Sequence, residues 1–219
     1  MDKKGEIMQK GITASLFVDP QNGFTPLCPN ELPVTDGNNI VTALNEQLKY
    51  ARLKACSKDA HNIQAVWVAN ENQKQYSPVN NQEDVDVCWN AHCMVGTYGF
   101  ELLEGLPKVK EYDYFVWKGI ELNLHPYGAC YHDFSEKLST GLIEYFTDNS
   151  IRNVIVGGLA TEYCVKLSAI QLSKYFNVFI NLEGCRGITS EGVEKAIVEM
   201  QSHGIVIVKT LTEVETIFG

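Results

Sequence analysis

Residues 153–182 have the sequence NVIVGGLATEYCVKLSAIQLSKYFNVFINL. It begins with an apolar run that ends in two glycines, continues through a helical stretch at 162–174, and closes with a second apolar run at 178–182. Two short apolar runs on either side of a helical stretch are typical of buried parallel strands joined by a crossover helix. The segment therefore predicts a strand–helix–strand unit.

The same alternation continues in both directions along the chain. The further predicted elements are strands at 13–18, 113–117 and 204–208 and helices at 38–54, about 134–147 and 190–202. Buried strands separated by amphipathic helices predict an α/β fold, a three-layer αβα sandwich with a mostly parallel central sheet. The polar run between residues 70 and 98 breaks the pattern, and we interpret it as a long functional loop.

Length and composition limit the classes of protein to which this chain can belong. A chain of 219 residues with 45% hydrophobic content is expected to form one domain, residues 1–219, with its core at about 12–210. The net charge of −9, without a cluster of basic residues, argues against nucleic acid as a partner. No apolar run is long enough to span a membrane, and the opening MDKKGEIMQKG lacks a signal-peptide core, which predicts a cytoplasmic protein. A homo-oligomer remains possible.

The cysteines do not form a recognisable pattern. There are seven, an odd number, and no two are spaced as a CxxC pair. Most are expected to be reduced, buried and inert, so a special role must be argued for each one separately. A thiol redox protein is a weak alternative, which only the cysteine count suggests.

Three reactive side chains follow predicted strands. Asp19 follows the first strand, Lys118 follows the strand at 113–117, and Cys164 opens the helix after the strand at 153–158. Ligands of open parallel sheets bind beyond the carboxyl ends of the strands, so these side chains are expected at one place. The start of a helix also favours a thiolate at Cys164, while Asp19 is a candidate general base or acid.

Each of these residues also has an ordinary structural explanation. Cys164 could be a small apolar residue between helix and sheet, Lys118 could extend to solvent, and Asp19 could be a turn residue before a proline. Taken singly, the structural explanation is the stronger one for Cys164 and Lys118.

A candidate metal site accompanies them. Asp59 and His61 form an Asp-Xaa-His pair, and His92 lies in the later stretch WNAHCMVGTYG. One carboxylate and two imidazoles suit a borderline divalent metal such as zinc, manganese or iron, with water completing the shell. An isolated Asp-Xaa-His pair has little specificity, so the neighbouring motifs are needed to support it.

In this order, FVDPQNGF (17–24), SKDAH (57–61), WNAHCMVGTYG (89–99), WKG (117–119) and GGLATEYCV (157–165) resemble the motifs of the nicotinamidases within the isochorismatase-like hydrolases. The resemblance covers residues 16 to 208. It implies a cysteine amidohydrolase that converts nicotinamide to nicotinate and ammonia.

The resemblance also implies a role for individual residues. The implied set consists of the catalytic triad Asp19, Lys118 and Cys164, an oxyanion hole of the Ala160 and Cys164 backbone amides, the metal ligands Asp59, His61 and His92, and the pocket aromatics Phe24, Trp89 and Tyr127. The peptide bond between Leu159 and Ala160 is expected to be cis. The metal is expected to be zinc, with manganese and iron as alternatives.

The chain departs from the family pattern at several places. Many nicotinamidases have a further histidine or glutamate ligand between the Asp-Xaa-His pair and the second histidine, where this chain has only Glu71, Glu83 and nearby aspartates as charged candidates. Gly128 stands where a serine is common, and Glu162 stands where an aspartate is common. Two alternatives therefore stay open: another amidase or carbamoyl hydrolase of the superfamily, and a catalytically silent binding protein.

Overall fold

The computed structural model describes residues 12–219, so the polar opening segment 1–11 and the prediction made from it lie outside the described residues. The strands are Thr13–Val18 (β1), Leu53–Asp59 (β2), Tyr114–Lys118 (β3), Asn153–Leu159 (β4), Asn177–Arg186 (β5) and Val206–Val208 (β6). The α-helices are Val41–Gln47 (α1), Leu142–Asp148 (α2), Lys166–Ser173 (α3), Ser190–Ser202 (α4) and Leu211–Phe218 (α5). A π-helical turn, Thr161–Val165, joins β4 to α3.

The strands form one six-stranded sheet in the order β3-β2-β1-β4-β5-β6, and every neighbouring pair is parallel. The strand order reverses between β1 and β4, which are adjacent in the sheet. In a sheet of this kind the crevice for a ligand opens at the carboxyl ends of the strands beside the reversal. The predicted α/β fold is confirmed.

Side chains of the central strands alternate between two apolar cores, one on each face of the sheet. Val154 and Val156 of β4 belong to a core that includes Leu172 of α3. Ile155, between them, packs instead with Val214 of α5. This alternation places helices on both faces and produces the three predicted layers.

Two element boundaries differ from the sequence prediction near the start of the chain. The helix predicted at 38–54 is shorter, since α1 and its flanking 3₁₀ turns end at Tyr50 and the chain enters β2 at Leu53. The apolar pattern does not predict a strand at 54–58, because two lysines interrupt it. Lys58 is nonetheless buried, with its ammonium 3.6 Å from the centre of the Phe100 ring.

Two further differences lie in the second half of the chain. The helix predicted at about 134–147 forms only from Leu142, because the Asp133 carboxylate accepts backbone N–H groups of Lys137 and Leu138 and holds a turn instead. Helix α5 is absent from the sequence prediction. It begins at the Thr210 cap, whose hydroxyl accepts the backbone N–H of Glu213.

None of the helices in the described range 12–219 is both long enough and apolar enough to cross a membrane.

Candidate active site

The predicted reactive residues lie together at or just beyond the carboxyl ends of four adjacent strands. Asp19 follows β1, Asp59 ends β2, Lys118 ends β3, and Cys164 lies in the π-helical turn after β4. All four side chains are buried, Asp19 and Lys118 completely so. The structure therefore brings together the catalytic triad that the sequence predicts, next to the first predicted metal ligand.

The Lys118 ammonium is the centre of this group. Its Nζ lies 3.0 Å from Asp19 Oδ2, forms an ion pair with Asp59 Oδ1, and lies 3.6 Å from the Cys164 sulfur. It also donates to the Pro126 carbonyl at 3.2 Å. Burial disfavours the ammonium, but the two carboxylates outweigh it and raise the pKa of Lys118 well above its usual value. Lys118 is therefore charged and does not extend to solvent.

Asp19 is held in position by a serine on the neighbouring strand. The Ser57 hydroxyl donates to Asp19 Oδ1 at 2.7 Å. Burial raises the pKa of Asp19 to about 6, although the Lys118 charge opposes the rise. An aspartate with this pKa is ionised at neutral pH and can still accept a proton readily, as a general base requires.

The Cys164 thiol is protonated in the resting site. Burial raises its pKa well above the usual value, Lys118 works against this, and the Asp19 and Asp59 charges add to it. The start of the helix favours a thiolate at Cys164, but burial is the larger effect on its pKa. A nucleophilic thiolate here must form as a base takes the proton.

The turn before Cys164 has an unusual backbone. The peptide bond between Leu159 and Ala160 is cis, as the resemblance implies. Gly158 has a φ of +142°, and a Cβ at this position would lie 2.0 Å from the Val18 carbonyl oxygen, so only glycine fits. Ala160 and Cys164 both line the same cavity. Their role as an oxyanion hole stays a prediction.

Asp59 also faces the two histidines of the predicted metal site. Its Oδ2 lies 3.3 Å from His61 Nε2 and 3.7 Å from His92 Nε2. Two ligand atoms each roughly 2.1 Å from one tetrahedral metal are roughly 3.4 Å apart. The three side chains are therefore spaced as ligands of one ion.

Backbone carbonyls orient both imidazoles toward this point. His61 Nδ1 contacts the Gly119 carbonyl at 3.0 Å, and His92 Nδ1 contacts the Asn90 carbonyl at 2.6 Å. When Nδ1 carries the proton, Nε2 presents its lone pair, which is the arrangement of a metal ligand with its outer partner. Gly119 has a φ of +72°, and a Cβ there would lie 2.5 Å from the His61 ring.

The charge states also suit a cation. Burial would raise the pKa of Asp59, but Lys118 and His61 hold it well below its usual range. Burial lowers the pKa of His92, so the ring is neutral at neutral pH. Gln21 fixes the Asp59 backbone on both sides, accepting from its N–H at 2.8 Å and donating to its carbonyl at 2.9 Å.

The three predicted pocket aromatics line one cavity together with Cys164, Asp59 and His92. The cavity has an empty volume of about 350 Å³, which includes space open to solvent. Its lining consists of Phe24, Leu32, Val34, Asp59, Trp89, His92, His125, Tyr127, Ala160, Tyr163, Cys164 and Ile188. Trp89 Nε1 donates to the Tyr127 hydroxyl at 3.0 Å, and that hydroxyl donates to Asp86 at 2.8 Å. The cavity suits a small, flat, largely apolar ligand.

The structure explains the departures from the family pattern. Glu71 and Glu83 are exposed and take no part in the site. A Cβ on Gly128 would lie 2.2 Å from the Gln171 side chain, so the absence of a side chain at position 128 leaves space for Gln171. The Glu162 carboxylate accepts the backbone N–H groups of Ile188 and Thr189, each at 2.9 Å, and ties that loop to the turn that carries Cys164.

Sequence reasoning missed five residues that line the cavity: Leu32, Val34, His125, Tyr163 and Ile188. His125 is buried beside His61 and His92. Its signal was the His-Pro-Tyr order just before the pocket tyrosine Tyr127, which places it in the same loop. Burial and the two neighbouring histidines lower the pKa of His125 well below its usual value.

A family model described as the isochorismatase domain matches residues 13–212. The chain belongs to the isochorismatase family. Among curated relatives of this family member, a nicotinamidase from Acinetobacter baylyi is 28% identical over 196 residues, covering 88% of this chain and 90% of the relative. A nicotinamidase from Escherichia coli is 28% identical over 201 residues, covering 87% and 92%.

Solved structures of related proteins share the fold. A nicotinamidase and pyrazinamidase from Acinetobacter baumannii superposes with a TM-score of 0.84 at 26% identity, covering 93% of this chain and 98% of the other. A pyrazinamidase from Pyrococcus horikoshii in complex with zinc has a TM-score of 0.73 at 27% identity, covering 91% and 99%.

Proposed function

We propose that this member of the isochorismatase family is a nicotinamidase, which hydrolyses nicotinamide to nicotinate and ammonia in NAD salvage. One observation carries the proposal: the buried Lys118 contacts both Asp19 and Cys164, and Cys164 lines a cavity with Asp59, whose carboxylate faces the imidazoles of His61 and His92 at distances that suit metal ligands. A triad alone would support any amidase of the family. The nicotinamidases among its relatives support this choice of substrate.

A divalent metal fits the charges of the site. Asp19 and Asp59 contribute two buried negative charges, and Lys118 supplies one positive charge. A buried excess of negative charge is costly unless a cation compensates it. His61 Nε2 is buried and makes no hydrogen bond within the described residues, as expected of a lone pair kept for a metal. Asp59, His61 and His92 hold the ion in our proposal.

The first half of the reaction forms a thioester. Asp19 accepts the proton of the Cys164 thiol, and the sulfur attacks the carboxamide carbon of the substrate. Lys118, in contact with both groups, stabilises the charge that develops on sulfur. The Ala160 and Cys164 backbone amides stabilise the oxyanion, a contribution of about 3 kcal/mol per donor in well-studied enzymes. Asp19 returns the proton to the leaving nitrogen, and ammonia departs.

The second half hydrolyses the thioester. Asp19, ionised again, accepts a proton from a water molecule that attacks the acyl carbon. The proton passes to the Cys164 sulfur as the carbon–sulfur bond breaks, and nicotinate is released. The same carboxylate thus serves both halves, which its pKa of about 6 permits.

The pocket side chains recognise the ring. Phe24, Trp89 and Tyr127 supply the apolar walls against which a flat pyridine packs. Asp59, His61 and His92 would hold the metal, which we propose to be zinc with manganese or iron as alternatives, and the bound ion would supply a Lewis acid for the pyridine nitrogen. The zinc bound by the Pyrococcus horikoshii pyrazinamidase supports this choice.

The second candidate is another amidase or carbamoyl hydrolase with the same triad. Ammonia release from nicotinamide, pyrazinamide and an N-carbamoyl amino acid at equal concentrations distinguishes the two. We expect the two ring amides to react with a much higher kcat/KM than the carbamoyl compound. A clear preference for the carbamoyl compound would assign the protein to the second candidate.

A further inference from the structure

His125 has two ring nitrogens for which the proposed chemistry gives no role. The side chain is 3% exposed, and neither Nδ1 nor Nε2 has a hydrogen-bond partner among the described residues. Buried polar side-chain atoms nearly always have a partner, so an imidazole with both nitrogens unsatisfied indicates a missing group. The ring belongs to the lining of the cavity.

The position of the ring points to what that group is. The His125 ring centre lies 5.3 Å from that of His61 and 5.9 Å from that of His92. One nitrogen from each of the three histidines lies within 4.8 Å of the other two. Three buried imidazoles that converge in this way are the donor set of many zinc sites.

We infer that His125 is a fourth protein ligand of the metal, completing a site of Asp59, His61, His92 and His125. The inference rests on the metal of the proposed function. It replaces the additional ligand that the sequence lacks between His61 and His92. The ligand comes instead from the loop after β3, beside Tyr127.

Ring packing alone does not explain His125. Its ring centre is 4.4 Å from that of Trp67 and 5.1 Å from that of Tyr127, so the carbon atoms are well packed. A phenylalanine would make the same contacts without burying two polar nitrogens. A role in binding the substrate is the remaining alternative, because the ring also faces the cavity.

A four-residue protein shell changes how a substrate would reach the ion. With Asp59 and three histidines as protein ligands, the substrate's pyridine nitrogen would meet an ion that four side chains already hold. The site then retains its ion in the absence of substrate. This shell predicts tight metal binding by the resting protein.

The test measures metal binding directly, without turnover. Purified full-length protein is stripped with a chelator, and its Zn²⁺ affinity is measured by competition with a chromophoric chelator. The visible absorption spectrum of the Co²⁺-loaded protein reports the ligand set. The variants are His125→Phe, which keeps the ring packing, His61→Phe as the reference for a lost ligand, and His132→Phe as a control outside the cavity.

We expect His125→Phe to weaken Zn²⁺ binding by more than about 100-fold, beyond the range typical of losing an outer partner of a ligand. The Co²⁺ spectrum should change as well, while His132→Phe leaves both unchanged. His125→Gln, with melting curves for each variant, provides a second test if the phenylalanine variant does not fold.

Wild-type affinity and spectrum in His125→Phe, together with loss of binding in His61→Phe, would overturn the inference and leave the proposed function intact. A raised KM for nicotinamide in that variant would then assign His125 to substrate binding. Absence of metal binding by the wild-type protein would overturn the proposed metal itself.

Discussion

Asp59 and Lys118 are register partners at the carboxyl ends of β2 and β3, and their side chains form an ion pair. The Asp59 carboxylate thus has one oxygen on the lysine that contacts the Cys164 sulfur and the other toward His61. This one carboxylate connects the proposed nucleophile to the proposed metal site. Parallel pairing of two strands is sufficient to place them together.

The Cys164→Ala variant tests the nucleophile. Because a methyl group cannot attack the amide, we expect ammonia release to fall by at least about 10⁴-fold. The loss of one buried sulfur should cost about 1 kcal/mol in the free energy of unfolding. Cys185→Ala, which removes another buried free thiol, is the matched control and should keep its activity. Near-normal turnover by Cys164→Ala would exclude the thioester route.

The Lys118→Met variant tests the charge beside the thiol. Lys118 opposes the rise in the pKa of Cys164, so its removal should raise that pKa further and slow alkylation by iodoacetamide at neutral pH. The variant also leaves Asp19 and Asp59 without their cation. Breaking a buried ion pair in this way lowers the free energy of unfolding by roughly 3–5 kcal/mol. Lys118→Arg keeps the charge and serves as the control. Alkylation at the wild-type rate in a folded Lys118→Met protein would mean that the ammonium does not act on the sulfur.

The pH dependence of kcat/KM tests Asp19. Burial raises its pKa to about 6, and only the ionised form accepts the thiol proton. Activity should therefore be full well above pH 6 and fall about tenfold per unit below it. Metal content is measured at each pH, because protonated histidines would release the ion. A rate that stays constant down to pH 4 in metal-loaded protein would argue against Asp19 as the base.

Benzamide tests the anchoring role of the metal. It carries the same amide as nicotinamide but lacks the ring nitrogen, so it leaves the metal without its added ligand. We expect the difference in activation free energy between the two amides, taken from their kcat/KM values, to exceed the roughly 1–3 kcal/mol that a missing methylene costs. His61→Ala should reduce this difference, because it should lower kcat/KM for nicotinamide more than for benzamide. If the wild-type protein hydrolysed both amides equally well, the metal would need a structural or water-activating role instead.

The short apolar runs predict the fold and place candidate residues at their carboxyl ends, whereas the triad itself was predicted only from the resemblance of the motifs to a known family. Asp19 and Lys118 stand where buried strands end, and a parallel sheet brings all such positions to one edge. The order of the strands was not predicted, since helical crossovers of similar length permit several orders. Strand β2 was not predicted, because its two lysines interrupt the apolar run. The structure nevertheless buries Lys58.

His92 was predicted from its motif although it lies in a loop, whereas His125 lies outside the motifs that carry the resemblance. His125 stands in a loop, and only the folded chain shows that this loop returns to His61. The sequence also does not predict the protonation state of Cys164. A helix start favours the thiolate, but the depth of burial that reverses this preference is a property of the whole structure. The capping pair Thr210 and Glu213, by contrast, was visible and would have indicated α5.

The most direct measurement is the release of ammonia and nicotinate from nicotinamide by the purified protein, with and without prior chelator treatment, together with metal analysis. We expect equal amounts of the two products, about one divalent ion per chain, loss of activity after chelation and recovery on adding Zn²⁺. Folded, metal-loaded protein that releases neither product from nicotinamide would contradict the proposed function.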